Sequence, residues 1–511
     1  MKHIPVIIVG GSLVGLSASL FLSWRGVSNI VVEKHLGSSP HPRAMGFTET
    51  TIEHYRAVGI ADYIPQTQPD TRLRRVRVKN LAADWTEERE WTPGEAAERS
   101  SRLSPCSGAA IAQDKLEPLL RKTAEGMGTE LRLGVELIGF RQDQSRVVAT
   151  LRERDGGAQY EISADYMIAA DGATSSIREA LAIPRSGVGY LRTLRSVLFS
   201  CPEADEYLAR GPQQYEIEQE NFRAFLTTYG DSRWVLMFDD DKNRSHKELC
   251  NAIRHALGRE MTFSIIMTGR WEMAGRIADT YSKGRVFLAG DAAHQLPPTR
   301  GGFGANTGID DVWNLAWKLE RVLAGGASPV LLGTYSEERR PIGWLRHQQA
   351  FSRPDYSRWV DGVFTPDPLL SNDAMEFGQL VRSAAVIGAG PQLPAAATPS
   401  EWAGQPGTRA PHIWIIQNGV RISTLDLFGR DFVLIAADRR WKTTLEGVPV
   451  AIFEDGSDVL FPADQTLETT YGIGRSGASL IRPDGIIAWR SSAEPTTQSK
   501  ETIEHLLCGD A

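Results

Sequence analysis

The first 33 residues follow a pattern that few folds accommodate. A short apolar run at residues 4–9 leads into the turn Gly10-Gly11-Ser12-Leu13-Val14-Gly15, and helical periodicity continues from there to residue 25. A second apolar run closes at Glu33. Strand, glycine turn, helix and strand within about thirty residues form a βαβ unit. The N-terminus therefore predicts a parallel sheet with helices packed on its faces.

The glycine turn predicts a nucleotide site. Glycines let a backbone bend tightly and approach a pyrophosphate, and the N-terminus of the next helix then faces the phosphate charge. Glu33 is placed to accept hydrogen bonds from a ribose diol. Ser12 stands where G-x-G-x-x-G has its middle glycine, so the motif alone is weak evidence. The order of the surrounding elements favours a nucleotide over an ordinary tight turn.

Two further turns place an aspartate after an apolar run. Asp171-Gly172 follows residues 166–170, and Asp291 follows residues 285–289 and opens a loop rich in proline and glycine. Glycines in such a loop let backbone N–H groups approach a flat ring closely. Thr307 and Asp310 have capping-box spacing, which predicts a helix over residues 308–323 with its positive end at the loop. His294 has no partner at metal-ligand spacing, and we expect it to be a loop residue.

Together these segments resemble the p-hydroxybenzoate-hydroxylase-type (class A) FAD-dependent aromatic monooxygenases, and most of all the aromatic polyketide hydroxylases and phenol hydroxylases. The resemblance spans essentially the whole chain. Pro42-Arg43-Ala44 is similar to the family's flavin-contacting arginine segment, and the segment starting at Gln113 is similar to the one whose glutamine contacts the cofactor. The resemblance implies an α/β fold with a glutathione-reductase-type FAD-binding Rossmann domain, an inserted antiparallel substrate sheet and a C-terminal thioredoxin-like domain.

The resemblance and the change of pattern along the chain predict domain limits. A Pro/Ala/Gly-rich stretch at residues 388–406 looks like a linker, and residues 478–489 look like a hairpin that turns at Pro483-Asp484-Gly485. The predicted domains are residues 1–74, 104–186 and 270–345 for FAD, 75–103 and 187–269 for the substrate sheet, 346–400 for a helical segment and linker, and 401–511 for a thioredoxin-like domain without CxxC.

The resemblance also implies the site residues. No single catalytic residue is identified, and Arg43, Pro298 and Gly301 are the candidates in the flavin loop. The substrate is expected between the inserted sheet and the flavin, with Tyr215, Phe225 and Met237 as walls, although a plain sheet core explains these three equally well. The residues expected to bind the cofactor are Gly10, Gly11, Ser12, Gly15, Glu33, Lys34, Arg43, Gln113, Asp171, Gly172, Asp291, Pro298, Gly301, Gly302, Gly304, Ala305 and Asn306.

The implied function is an FAD-dependent monooxygenase that uses NAD(P)H and O₂ to hydroxylate an aromatic or polyketide-like small molecule through a flavin C4a-hydroperoxide. Family habit favours NADPH over NADH, and the donor is expected to bind transiently because one nucleotide-binding unit is visible. The alternatives are a Baeyer–Villiger or epoxidising oxygenase on the same scaffold, a non-oxygenating flavoprotein reductase, and a nucleotide-binding protein without flavin. Halogenation is disfavoured because the chain has no W-x-W-x-I-P stretch.

Composition narrows the partners and the compartment. The net charge of −7 argues against nucleic acid, and the basic run at residues 72–79 is interpreted as the solvated face of a strand. No stretch approaches the roughly twenty apolar residues of a membrane span, and no secretion signal is evident. The 4 cysteines have no CxxC or metal-ligand spacing. We therefore expect a cytoplasmic protein without a structural metal, with a homodimer left open.

Overall fold

The computed structural model describes residues 1–41, 44–68, 74–90, 103–297, 303–360, 362 and 364–509. Within these residues the strands are β1 Lys2–Val9, β2 Asn29–Glu33, β3 Gly46–Phe47, β4 Arg75–Val78, β5 Trp85–Arg89, β6 Ala109–Ala110, β7 Glu130–Leu133, β8 Val135–Gln142, β9 Val147–Glu153, β10 Gln159–Ala169, β11 Arg185–Ser200, β12 Gln214–Gln219, β13 Phe222–Thr228, β14 Arg233–Phe238, β15 Ser264–Ala278, β16 Ser282–Lys283, β17 Val286–Leu288, β18 His294–Gln295, β19 Trp414–Gln417, β20 Val420–Ser423, β21 Val433–Ala436, β22 Ala451–Glu454, β23 Ala478–Ile481 and β24 Ile487–Ser491. The α-helices in the same ranges are α1 Leu13–Trp24, α2 Glu49–Ala57, α3 Gln113–Gly126, α4 Ser176–Ala180, α5 His246–Leu257, α6 Phe303–Leu323, α7 Thr334–Ser352, α8 Pro354–Val360, α9 Asn372–Phe377, α10 Pro399–Trp402, α11 Arg440–Thr444, α12 Leu467–Tyr471 and α13 Thr497–Cys508.

The N-terminal half is built on a parallel sheet. Five strands pair in parallel in the order β7-β2-β1-β10-β17, and the short β16 adds an antiparallel edge. Val6, Ile7 and Ile8 are fully buried because both faces of β1 are covered, which explains the continuous apolar run. The predicted βαβ unit is confirmed. Parallel strands bring their carboxyl ends to one edge, so the segments after β1, β2, β10 and β17 meet there.

Helix α1 leaves the glycine turn and packs against α6 with little space between them. A Cβ atom on Gly308 of α6 would lie 2.6 Å from Cγ2 of Val14 and 2.8 Å from Cα of Gly290. Both distances are shorter than real Cβ contacts, so this position admits only glycine without a shift. The close approach places the start of α6 next to the glycine turn and the turn after β17.

A second sheet has eight strands in the order β18-β15-β11-β14-β13-β12-β4-β5. Its pairs are antiparallel, as predicted, except that β12 pairs with β4 in parallel. The parallel pair arises because β4 and β12 come from separate passes of the chain, and no hairpin dictates their direction. Strands β11 and β15 are long, with sixteen and fifteen residues, and extend towards the parallel sheet.

The basic run before and within β4 is only partly a solvated face where the structure describes it. The side chain of Arg75 is buried, forms an ion pair with Glu216 and lies 6.0 Å from the ring centroid of Phe225. Arg77 is partly exposed and pairs with Glu87 at 2.9 Å, and Lys79 is exposed. The interpretation is wrong at Arg75 because the neighbouring strands supply carboxylates, which a single strand's pattern does not reveal.

Helix α6 begins earlier than the capping-box spacing predicts. It includes Phe303, so Thr307 lies inside the helix and is no N-cap. Asn306 accounts for the difference, because its side chain accepts hydrogen bonds from the backbone N–H of Thr48 (3.1 Å) and the hydroxyl of Thr51 (2.7 Å). These tertiary contacts hold the additional turn of helix against α2.

The C-terminal residues form a four-stranded sheet in the order β22-β21-β23-β24, in which β21 and β22 are parallel and the other pairs antiparallel. The hairpin predicted around Pro483-Asp484-Gly485 is confirmed as β23–β24. The stretch predicted as a linker packs on its neighbours, since the backbone N–H of Ala397 and the indole of Trp402 both donate to the carbonyl of Gly378.

A buried cluster of charges joins the C-terminal sheet to α6 and α7. Arg482 donates to both carboxylate oxygens of Glu338 at 2.7 and 2.9 Å, and Lys318 reaches the same carboxylate at 2.9 Å. Asp484 accepts from Asn314 at 2.9 Å. Separating these buried ion pairs would leave uncompensated charges in the interior, so they fix the C-terminal unit to the N-terminal half. None of the helices in the described residues is long and apolar enough to cross a membrane.

Candidate active site

The glycine turn after β1 brings the backbone close to the neighbouring strand β10. Gly10 has φ +110°, and a Cβ atom there would lie 2.2 Å from the carbonyl oxygen of Ala170. The backbone N–H of Gly10 donates to the carbonyl of Val32 at 2.9 Å, which fixes the turn on the end of β2. A Cβ atom on Gly15, on the first turn of α1, would lie 1.8 Å from the carbonyl oxygen of Gly10. The result is bare backbone at the N-terminus of α1, a geometry that accepts phosphate.

Glu33 is fixed at the end of β2. One carboxylate oxygen accepts from the backbone N–H of Gly11 at 2.7 Å, and the other accepts from the N–H of His35 at 2.8 Å. A carboxylate has lone pairs beyond these two bonds, so Glu33 can also accept from a diol. Lys34 is exposed, and its carbonyl accepts from Arg154 at 3.0 Å.

Gln113 lies beside the glycine turn although it is about one hundred residues away in sequence. Its amide nitrogen donates to Oγ of Ser12 (2.9 Å) and to Glu117 (2.7 Å), and its amide oxygen accepts from the N–H of Ala44 (3.3 Å). Ser12 donates to the same oxygen of Glu117 at 2.6 Å. Sequence reasoning missed Glu117, whose only signal is a carboxylate one turn after Gln113 on the buried side of α3.

Asp171 follows β10 and carries an unsatisfied oxygen. Oδ2 accepts from the backbone N–H of Ile177 at 3.3 Å, while Oδ1 is buried without a hydrogen-bond partner. Burial raises the pKa of Asp171 above its usual value. Gly172, at φ +88°, turns the chain away directly after it. A buried acceptor at this edge of the sheet suits a hydroxyl donor from a ligand.

Arg178 connects the two aspartate turns. Its guanidinium is almost completely buried and donates to the carbonyl of Ala292 (3.0 Å), beside Asp291, and to that of Ala173 (3.4 Å), beyond Asp171. The turns after β10 and β17 therefore keep a fixed relative position. No local pattern in the sequence singles out Arg178, because its partners are backbone oxygens of two distant loops.

A second buried group supports the turn at Asp291. Asp311 of α6 accepts from Nε2 of His294 at 2.7 Å, from Nε of Arg339 at 2.9 Å and from the backbone N–H of Gly290 at 3.3 Å. Burial alone would raise the pKa of Asp311, but His294 and Arg339 outweigh it and hold the pKa below its usual range. His294 is thus a fully buried residue of β18, and the loop interpretation was wrong.

The start of α6 carries three of the expected cofactor residues. Gly304 and Ala305 are partly exposed on the first turn, and a Cβ atom on Gly304 would meet nothing within 4 Å. Asn306 is buried and holds α2 and β3 through the bonds to Thr48 and Thr51 and one to the carbonyl of Gly46 at 3.2 Å. Arg43, Pro298, Gly301 and Gly302 lie outside the described residues.

Two of the three expected substrate residues share a face of the second sheet. Phe225 pairs with Met237, and Met237 pairs with Ser196, so their side chains form a row that we call the inner face, defined by Ser196, Phe225 and Met237. Ser196 lies 2.9 Å from Nε2 of His41 in the N-terminal half. This contact turns the inner face towards the parallel sheet.

Tyr215 lies on the opposite face and belongs to the core. It pairs with Leu226, packs with Trp234 and Ile253 of the cluster against α5, and is 3% exposed. Its hydroxyl donates to the carbonyl of Pro212 at 2.8 Å. Alternation along a strand puts neighbours on opposite faces, so Tyr215 lies on the same face as Leu226 and away from Phe225. Tyr215 therefore does not line a substrate cavity on the inner face, contrary to the expectation from the sequence.

These features meet at one edge of the parallel sheet and suit FAD. Bare backbone at a helix N-terminus can receive a pyrophosphate, the carboxylate of Glu33 can receive a ribose, and the orphaned oxygen of Asp171 lacks a donor. Among the described residues, no group of three His, Cys, Asp or Glu side chains could hold a metal ion. The chemistry that the site can support is that of a bound organic cofactor.

Comparison with known proteins agrees with this geometry. Residues 3–350 match the FAD binding domain family, and residues 403–509 match the family described as aromatic-ring hydroxylase, C-terminal. The fold and the site define an FAD-dependent monooxygenase whose reaction consumes O₂ and a reduced nicotinamide donor. The chain belongs to the aromatic-ring hydroxylases of this class.

Three relatives illustrate the likeness. Tetracenomycin A2 monooxygenase-dioxygenase of Streptomyces glaucescens is 36% identical, covering 99% of this chain and 97% of the relative. The 4-methyl-5-nitrocatechol 5-monooxygenase of a Burkholderia species is 34% identical, covering 99% and 98%. The crystal structure of aklavinone-11 hydroxylase with FAD and aklavinone superimposes with a TM-score of 0.86 at 32% identity, covering 99% and 98%.

Proposed function

We propose that this protein hydroxylates a fused-ring phenol of the polyketide type, with NADPH as the electron donor. The relatives that carry this proposal act on tetracenomycin A2 and aklavinone by name, and both match nearly the whole chain. Because of the relative named 4-methyl-5-nitrocatechol 5-monooxygenase, a single-ring phenol is the second candidate for the substrate. NADPH is proposed over NADH on family habit, and its binding is transient because one nucleotide-binding βαβ unit is present in the described residues.

The proposed placement of FAD uses the edge of the parallel sheet. The strand order β7-β2-β1-β10-β17 supports a glutathione-reductase-type Rossmann domain over residues 1–74, 104–186 and 270–345. In this placement the turn of Gly10, Gly11, Ser12 and Gly15 faces the pyrophosphate, Glu33 and Lys34 lie at the adenosine ribose, and Gln113 orders the turn. Asp171, Gly172 and Asp291 accept from the ribityl chain, and Gly304, Ala305 and Asn306 present the start of α6 to the flavin ring, with Arg43, Pro298, Gly301 and Gly302 beside it.

The chain contributes orientation and exclusion of water. Bound FAD supplies the oxygen-activating chemistry, and the protein supplies the position of the ring and the dryness of the site. The cluster of Asp311, His294 and Arg339 holds the turn that carries Asp291, and Arg178 holds that turn relative to Asp171. The N-terminus of α6 favours negative charge on the ring that it faces.

The substrate is proposed to lie between the inner face and the cofactor. Ser196, Phe225 and Met237 supply a surface with one hydroxyl and two apolar side chains, which suits a flat ring that carries polar substituents. Residues 75–103 and 187–269 form the proposed substrate domain, and residues 346–400 are a proposed helical segment and linker between the FAD-binding domain and the C-terminal unit.

The C-terminal residues 401–511 are proposed to be a thioredoxin-like domain with a structural role. The strand order β22-β21-β23-β24 supports this assignment. A thiol–disulfide reaction needs two close cysteines, and the sequence has no CxxC. The buried contacts of Arg482 with Glu338 and of Asp484 with Asn314 instead support a role in holding α6 and α7.

The single structural observation that carries the placement of FAD is the convergence of bare backbone at Gly10, the fixed carboxylate of Glu33 and the orphaned oxygen of Asp171. The test is NADPH oxidation by the FAD-loaded protein against phenols, naphthols and polycyclic quinones, with product masses recorded and the position of the new oxygen determined by NMR. Accelerated oxidation with one oxygen gained by a polycyclic phenol is expected. A lactone or an epoxide would assign the alternative oxygenations, and acceleration with H₂O₂ alone would assign a reductase.

A further inference from the structure

A guanidinium on α7 is buried and forms no ion pair with the described residues. Arg346 lies on α7 and is 3% exposed, and its Nε and Nη1 atoms are buried without any hydrogen-bond partner. Two other buried guanidinium groups are paired with carboxylates: Arg339 donates to Asp311, and Arg482 donates to Glu338. An unpaired buried charge is destabilising, so its retention calls for a functional reason.

The acidic groups nearest to Arg346 are engaged elsewhere. Asp310 lies 3.0 Å from Nε2 of His54, and Glu376 accepts from the backbone N–H of Thr50 at 3.1 Å. Arg339 and Arg353 add positive charge on the same side. Burial and these two cations lower the pKa of Arg346 to about 10, which leaves the guanidinium protonated at neutral pH.

The guanidinium of Arg346 lies at the N-terminus of α6. It is 4.3 Å from the ring centroid of Phe303, the first described residue of that helix, and the guanidinium of Arg353 is 5.9 Å from the same ring. A cation–π contact supplies no hydrogen-bond acceptor for the N–H groups. The positive end of a helix of twenty-one residues and the guanidinium of Arg346 thus converge on one position, which favours a negative ligand.

We propose that Arg346 and the N-terminus of α6 bind a planar, delocalised oxyanion. The planar fork of a guanidinium matches such a group. The inference rests on the proposed function, which supplies two sources of this chemistry: the ionised phenol of the aromatic substrate, and the negatively charged edge of the reduced flavin ring. Arg346 is then a binding residue that is retained at a cost to the stability of the ligand-free protein.

The test compares Arg346→Met with Arg346→Lys, and uses Arg340→Met as the matched control. Arg340 is on the same helix but is partly exposed and lies 3.8 Å from Asp279. Alizarin, a tricyclic phenol, is titrated into each FAD-loaded protein at pH values on either side of its first ionisation. The reduction potential of the bound FAD is measured in the same preparations, and Arg346→Gln replaces Arg346→Met if the latter is insoluble.

If the substrate is the source, the wild-type protein binds ionised alizarin about ten-fold more tightly than the neutral form, and Arg346→Met loses this preference while Arg346→Lys keeps part of it. If the flavin is the source, Arg346→Met gives a more negative potential than Arg340→Met. The proposal is overturned if Arg346→Met equals Arg340→Met in both measurements. A wild-type protein that binds no FAD would overturn the proposed function instead, and the alizarin titration would still decide the anion site.

Discussion

Asp311 Oδ2 lies 2.7 Å from Nε2 of His294, and both side chains are completely buried beneath the turn that carries Asp291. Asp311 also pairs with Arg339 at 2.9 Å, so one carboxylate neutralises the cation that α7 places against it. The relationship links β18, α6 and α7 at the point where the cofactor is proposed to bind.

Replacing Asp311 with Asn should destabilise the protein by about 3 kcal/mol, because the buried Arg339 then keeps only Asp310, which lies 3.9 Å from its Nη2 atom. The change should also weaken FAD binding, since an amide offers one acceptor oxygen where the carboxylate offers two to His294, Arg339 and the N–H of Gly290. Urea unfolding and FAD titration of the apoprotein measure the two effects. Asp279→Asn, at an exposed position that lies 3.8 Å from Arg340, should cost about 1 kcal/mol or less. Equal losses for the two variants would contradict the role given to the buried cluster.

Gly10→Ala should abolish FAD binding while the protein remains folded. The new Cβ atom would meet the carbonyl oxygen of Ala170 at 2.2 Å, and alanine is strained at φ +110°. Gly26→Ala is the matched control, because Gly26 has φ +80° and nothing within 4 Å of its Cβ position. Flavin absorbance of the purified proteins gives the FAD content. A yellow, fully loaded Gly10→Ala protein would disprove the assignment of this turn.

The two faces of the second sheet should respond differently to mutation. Met237→Ala removes an apolar side chain from the inner face and should raise KM about ten-fold, which corresponds to roughly 1.4 kcal/mol of lost substrate contact. Tyr215→Phe removes a hydroxyl that donates to Pro212, so it should leave KM unchanged and cost about 1 kcal/mol of stability. Steady-state kinetics and denaturant unfolding separate these effects. A raised KM in Tyr215→Phe would mean that the substrate binds on the face of Tyr215, which is opposite to the inner face.

His412 should make the C-terminal unit sensitive to acid. Burial, with the positive charges of Arg409 and Arg56, lowers the pKa of His412 from 6.5 to about 4, so the folded protein holds this histidine neutral. Between pH 6.5 and pH 4 the unfolded chain binds the proton and the folded protein does not, so stability falls as the pH falls through this window.

His412→Gln should remove this contribution, which we expect to be about 1–2 kcal/mol at the acid end after allowance for solvent screening. Denaturant unfolding at both ends of the window measures it. His505→Gln, at an exposed position of α13, is the control and should follow the wild-type profile. An identical pH profile for the two variants would rule out His412 as the sensor.

Local patterns predicted the local structure of this protein well. The βαβ unit and the hairpin at Asp484 are confirmed. These features depend on near neighbours in the sequence: the alternation of apolar residues, the glycines of a turn and the length of an apolar run. The carboxyl-end residues Gly10, Glu33 and Asp171 follow from the same patterns, since a parallel sheet brings them to one edge.

The features that sequence reasoning missed depend on tertiary contacts. Arg178 binds carbonyl oxygens of two loops, and Glu117 meets the glycine turn only when α3 folds against α1. Helix α6 starts earlier than the sequence predicts because Asn306 is held by α2 and β3. The face of Tyr215 depends on strand alternation across several strands, which one strand does not disclose.

In the proposed reaction, the FAD-loaded protein inserts one atom of O₂ into an aromatic ring. The most direct test is turnover of an accepted phenol with NADPH under ¹⁸O₂, followed by mass spectrometry of the product. A monooxygenase reaction gives a hydroxylated product that carries a single ¹⁸O atom, with NADPH consumed in equal amount. A product whose new oxygen comes from water, or NADPH oxidation that yields only labelled H₂O₂ with every phenol that stimulates it, would contradict the account.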